Sequence, residues 1–187
     1  MSDATGSRYL TWNDAIASRF FNPDRAGEPV YLFVTQEVLA EIGQQLGQSP
    51  DEFVAAVRAG PSDVTRSGHC QRALQVAGGW RDRGYAYPPY IAYLALFVLA
   101  AGHEGDFDPR DYYPRLWDLL GEPRSGTPPS FDRMWELWQD LEEWSMHDRH
   151  EELGVFEARI VGGKDLIGFP LAQTVLTEAE RRALPQA

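Results

Sequence analysis

The segment Ile91-Ala-Tyr-Leu-Ala-Leu-Phe-Val-Leu-Ala-Ala101 constrains this chain more than any other, because its only polar side-chain atom is the Tyr93 hydroxyl. A helix of this length spans about 16 Å at ~1.5 Å per residue, far short of a ~30 Å bilayer core. A helix that is apolar on every side must instead be enclosed by other elements. The run therefore predicts the central helix of a globular core. The chain has 187 residues, the scale of a single domain. Hydrophobic residues at 43 %, with six tryptophans, supply the shell around such a helix and exclude wholesale disorder.

No apolar run approaches the ~18 residues of a membrane span. The opening Met-Ser-Asp-Ala-Thr-Gly-Ser-Arg lacks the apolar stretch of a signal peptide. One cysteine, Cys70, excludes an internal disulfide framework and a four-thiolate zinc site. A cytoplasmic, soluble chain with no membrane partner is the expectation.

Helix punctuation is frequent around the central run. Thr11 is expected to cap a first helix with Trp12, Ile16 and Phe20 on its apolar side. Thr35 is expected to cap a second, where Val38, Leu39, Ile42 and Leu46 recur at helical spacing before Gly47. Ser49-Pro50-Asp51-Glu52 has the residues of a capping box, with proline at the first helical position. Val30-Tyr-Leu-Phe-Val34 is β-branched and aromatic and predicts a short buried strand. Beyond the core run, Asp106–Asp111 opens a helix, interrupted or restarted at Pro114, that ends at Gly121, and Ser130 is expected to cap another over 131–145. Phe131, Met134, Trp135, Trp138, Leu141 and Trp144 are assigned to its apolar stripe.

The hydrophobic period changes after Gly154. Val155–Val161 alternates, Gly162-Gly163 supplies a turn, and Leu166–Phe169 returns, which predicts a β-hairpin before a short last helix. The expected class is α+β, mostly α: a compact helical domain around 91–101 with a C-terminal β-hairpin. Residues 1–121 are read as a helical domain with one short strand, 122–130 as a loop or hinge, and 131–187 as a helix, hairpin and short helix packed against the first part. In order of elements, 109–184 resembles a winged-helix arrangement, a resemblance of architecture alone.

Charge is segregated along the chain. The formal net charge is −11. Residues 1–100 carry 8 arginines against 10 acids, and 104–157 carry 5 arginines against 15 acids. Arg58–Arg83 reverses the sign, with five arginines against Asp63 and Asp82. An acidic protein meets a phosphate backbone only where its cations are gathered. That makes Arg66, Arg72, Arg81 and Arg83, with Trp80 for stacking, the candidate nucleic-acid contact.

Catalytic patterns are weak throughout. His147-Asp-Arg-His150 could place two imidazoles on one helix face, and Glu104, Asp106, Asp108 and Asp111 crowd four carboxylates beside His103. Neither carries zinc-ligand or EF-hand spacing. Asp108 before Pro109 is accounted for as a cap, and histidines near a helix C-terminus are favoured by its dipole. His69 adjoins Cys70 but cannot activate it, since neighbouring helical side chains diverge. No phosphate-binding glycine loop or nucleophile elbow is present, and no cofactor is expected.

The sequence thus points first to a non-enzymatic protein-interaction or regulatory module presenting an acidic C-terminal face. Glu136, Asp140 and Glu143, at i, i+4 and i+7, are its candidate partner-binding residues, facing a protein partner with a basic surface. Nucleic-acid binding through Arg66–Arg83 is the alternative. A small metal-dependent hydrolase or nuclease using the 103–111 and 147–157 segments is the third.

Overall fold

The structure is a computed structural model, and it describes residues 3–61, 64, 68–101, 109–122 and 126–158. Among these residues the chain is helical: α1 (Asp3–Phe20), α2 (Gln36–Leu46), α3 (Pro50–Ala59), α4 (His69–Ala77), α5 (Ile91–Ala101), α6 (Pro109–Leu120) and α7 (Trp135–Glu143). Short 3-10 turns precede or follow them at Pro23–Arg25, Trp80–Arg83 and Phe131–Arg133, and α7 runs into a π-turn, Trp144–Asp148.

Every residue of α5 is buried, and α1, α3, α4 and α6 all pack against it. Its N-terminus is closed from a distance. Tyr90 offers no capping side chain, so Asn13 of α1, fully buried, accepts the Ala92 N–H at 3.0 Å and donates to the Pro88 carbonyl at 3.1 Å. Tyr9, one turn earlier in α1, donates to the Pro89 carbonyl at 2.7 Å. These bonds satisfy backbone groups that burial would otherwise leave unpaired.

Local capping follows the residues that signal it. Thr35 Oγ1 accepts the Val38 N–H at 3.2 Å, and Gly47 ends α2 in the left-handed conformation. Ser49 and Glu52 close both arms of a capping box on α3. Thr11, by contrast, caps nothing and lies in the middle of α1. Burying Tyr9 with Trp12, Asn13, Ile16 and Ala17 continues one helical stripe straight past it.

The α+β assignment is corrected to a helical fold, with no strand and no sheet among the described residues. Val30–Val34 is not helical, with Val30, Leu32 and Val34 buried, and forms no strand ladder among the described residues. The Phe33 N–H turns back on the Tyr31 carbonyl at 2.8 Å, which takes it out of any ladder. Val155 makes a single parallel bridge with Pro29. Val30 N–H donates to Val155 at 2.7 Å and Val155 N–H to Glu28 at 2.8 Å. Gly154 permits this approach, because a side chain there would run into Val30. The expected first hairpin arm thus begins by docking on the 28–30 segment, and residues 159–169 lie outside the described residues. Without strands the winged-helix reading falls as well.

The helix expected over 131–145 is also divided. Ser130 takes a left-handed conformation (φ 65°) and makes no side-chain cap. Phe131 begins a 3-10 turn and packs on Phe97 of α5, ring centroids 5.7 Å apart. Trp138 stacks on Phe156 at 5.7 Å, and the Ser145 hydroxyl accepts the Phe156 N–H at 2.9 Å, so the chain after α7 is held against it.

Candidate functional site

The acidic helix α7 presents two different sides. Leu137, Trp138, Leu141 and, in the π-turn, Trp144 turn into the core. Three of the four tryptophans between 117 and 144 are buried, whereas Trp135 is 38 % exposed, the largest exposed apolar side chain among the described residues. The 3-10 turn before α7 leaves Met134 on the buried stripe and places Trp135 beside it. Asp132, Gln139 and Glu143 are exposed, and Glu136 and Glu142 are half-buried. The Arg133 guanidinium forks onto Glu136 with two bonds of 2.8 Å, and this pairing holds the Glu136 carboxyl below its ordinary range. The result is one exposed indole on a stretch of chain that is otherwise acidic on its outer side.

Asp140 does not project outward with Glu136 and Glu143. It accepts the Trp80 indole N–H at 2.8 Å and is hydrogen-bonded by the Tyr90 hydroxyl and the Arg81 guanidinium. Arg81 also donates to Asp148 at 3.1 Å and lies 4.9 Å from the Trp80 ring centre. Burial, followed by the charge of Asp140, pushes the Tyr90 hydroxyl well above its usual pKa. Burial opposes the charged form of Arg81, but the hydrogen bonds it donates to both carboxylates outweigh this and raise the pKa. One carboxylate thereby ties the 80–83 turn, the entry to α5 and α7 together.

The described arginines of the Arg58–Arg83 segment are engaged within the fold. Arg58 donates to the Leu119 and Asp118 carbonyls at 2.6 and 3.0 Å, closing the C-terminus of α6 with a cation. Arg72 donates to the Arg58 carbonyl at 2.6 Å. Arg83 bonds the Val76 carbonyl and, at 3.0 Å, that of Gly78, and it lies over Tyr85. Trp80 is 3 % exposed, so its ring is not open to a base. Arg66 lies outside the described residues.

Among the described residues the metal candidates form no cluster. His147 and His150 are both exposed, while His103 and the side chains of 104–111 lie outside the described residues. No group of three or more His, Cys, Asp or Glu residues among the described residues could hold a metal ion. Burial pushes the Cys70 thiol up to about 12, which removes the thiolate a nucleophile needs. His69 is buried too, and burial, with Arg72 nearby, lowers its pKa to about 4.

Sequence patterns missed the exposure of Trp135, the inward turn of Asp140 and the remote cap by Asn13. Asp140 and Asn13 depend on neighbours distant in sequence, and Trp135 on the burial of Leu137, which the sequence stripe leaves out. No described helix is long and apolar enough to cross a membrane. The chain matches no family model, no curated protein and no solved structure.

Proposed function

We propose that this protein is a non-enzymatic interaction module whose α7 face binds a basic segment of a protein partner. The observation that carries this reading is the exposed Trp135 indole on the same short stretch of chain as Asp132, Glu136, Glu142 and Glu143. Tryptophan is enriched at binding hot spots, and its ring face attracts guanidinium and ammonium groups. Surrounding carboxylates raise the encounter rate with a cationic partner and suppress anionic ones. Residues 131–152 hold eight acids against Arg133 and Arg149, and Arg133 is already paired with Glu136. Nucleic-acid binding through Arg72, Arg81 and Arg83 is the less favoured reading. It would draw those side chains away from the carbonyls and carboxylates they now satisfy.

The test is a titration with a short arginine-rich peptide across a salt series. Trp135→Ala is expected to weaken binding about tenfold. The combined Glu136→Gln, Glu142→Gln, Glu143→Gln variant is expected to lose both affinity and salt dependence. Glu37→Gln with Glu41→Gln, which removes exposed acids from α2, serves as the control and is expected to leave binding unchanged. Equal affinity across all four proteins would show that neither the Trp135 indole nor the α7 carboxylates meet the peptide and would overturn the proposal.

A further inference from the structure

Among the described residues, three arginines pair with a glutamate three positions on: Arg25 with Glu28, Arg133 with Glu136 and Arg149 with Glu152. The first and last are held through Nε, by one hydrogen bond of 3.0 and 2.8 Å respectively. The Arg133 pair is different. Its Nε donates to one Glu136 oxygen and its Nη2 to the other, both at 2.8 Å. Such a planar, two-bond pairing is among the strongest contacts a carboxylate makes, and an ammonium group cannot reproduce it.

Both side chains nevertheless stay at the surface, Arg133 55 % and Glu136 36 % exposed. An exposed ion pair adds little to stability, so the fold does not depend on this one. Its place matters more. Glu136 follows the exposed Trp135, and Glu143, seven residues on, stands roughly 20° from Glu136 around α7. The carboxylate closest in sequence to the open indole is thus already filled by a guanidinium from its own chain.

We infer that Arg133 is an internal competitor for the partner: it occupies Glu136 as an arginine of the partner would, and binding exchanges one guanidinium for the other. The inference rests on the function proposed above and names the side chain that the α7 face selects, arginine rather than lysine. Exchange preserves the two-bond contact at Glu136 only when the incoming group is itself a planar fork. The competitor holds affinity down by what an exposed pair contributes, about threefold.

The test uses two short peptides, one arginine-rich and one with lysine at each arginine position. Each is titrated into the full chain while the Trp135 indole N–H resonance is followed by NMR. Arg133→Gln is expected to tighten the arginine peptide about threefold. Arg149→Gln removes the same charge from the same acidic stretch and is expected to give a smaller gain. In a Glu136→Gln background, the gain from Arg133→Gln is expected to fall to that of Arg149→Gln, because the competitor has no carboxylate left to fill. The lysine peptide is expected to gain no more from Arg133→Gln than from Arg149→Gln. On the unaltered chain, the Arg133 Nε–H resonance is expected to move in step with that of Trp135 as the arginine peptide is added. Equal gains from the two arginine variants, a gain undiminished by Glu136→Gln, or an Arg133 resonance that stays still while Trp135 moves would overturn the inference and leave the α7 reading standing. A Trp135 resonance unmoved by either peptide would remove both.

Discussion

The Arg58–Arg83 segment and the acidic helix α7 carry opposite charge in sequence, and they use it in opposite ways. The described arginines are engaged within the fold: Arg58 on the end of α6, Arg72 on the Arg58 carbonyl, Arg83 on the end of α4, and Arg81 on Asp140 and Asp148. On α7 Asp140 is drawn into the fold and Glu136 pairs with Arg133, while Glu143, and Asp132 in the preceding turn, are exposed. A guanidinium on a long stem can reach several carbonyls from the surface, whereas a short carboxylate on a helix meets whatever lies beside it. A cluster of like charges along a sequence is therefore a candidate surface only after its internal hydrogen bonds have been subtracted.

The comparison breaks first at Asp140. Removing it as Asp140→Ala leaves the Trp80 indole N–H, the Tyr90 hydroxyl and Arg81 without their shared acceptor, and roughly 2–4 kcal/mol of stability should be lost. Urea unfolding measures this, and an unchanged midpoint would return Asp140 to the outward-facing set.

His69 supplies the next largest effect. Its folded pKa, about 4, lies below the unfolded value of 6.5, because burial and Arg72 disfavour the imidazolium. Between those values the unfolded chain binds more protons, so stability is complete above 6.5 and falls as the pH drops toward 4. The loss approaches roughly 3 kcal/mol. Chemical denaturation of wild type and His69→Gln across this range tests the sign. The variant should lose less stability on acidification, and parallel curves would mean that His69 is not held neutral.

Arg58→Ala removes the cation at the end of α6 and should cost about 1 kcal/mol, read as a lower urea midpoint. Glu143→Gln sits at the other extreme. Its exposed side chain makes no hydrogen bond or ion pair among the described residues, so stability should change by less than about 0.5 kcal/mol while the arginine-rich peptide binds more weakly. A larger stability loss for Glu143→Gln than for Arg58→Ala would reverse the comparison.

Much of the helical frame was legible from local chemistry. The capping pairs Thr35–Val38 and Ser49–Glu52 lie three residues apart and act through their own backbone, so the chain announces them without reference to the rest of the fold. The burial of α5 was equally plain, because eleven consecutive apolar residues have nowhere else to go. What stayed hidden depends on partners far along the chain. Asn13 caps a helix 79 residues away, and Asp140 reaches Trp80 60 residues away. Val30–Val34 has the composition of a strand, but strand formation needs a second segment beside it, and composition cannot supply one. The stripe read from the sequence includes Trp135 and leaves out Leu137. In α7 Leu137 is buried with Trp138 and Leu141, and at 3.6 residues per turn Trp135 stands roughly 160° around the helix from Leu137, which sets the indole outside. The exposed part of the candidate site thus turns on where the centre of the apolar face lies rather than on charge.

The most direct test of the contrast follows the indole N–H resonances of Trp135 and Trp80 while an arginine-rich peptide is added to the intact protein. The two rings stand for the two regions, one exposed among acids and the other buried against Asp140. The account predicts that the Trp135 resonance moves saturably while that of Trp80 stays in place, with the shift suppressed as salt is raised. Perturbation centred on Trp80 and its neighbouring arginines, or an unmoved Trp135 resonance at saturation, would contradict it.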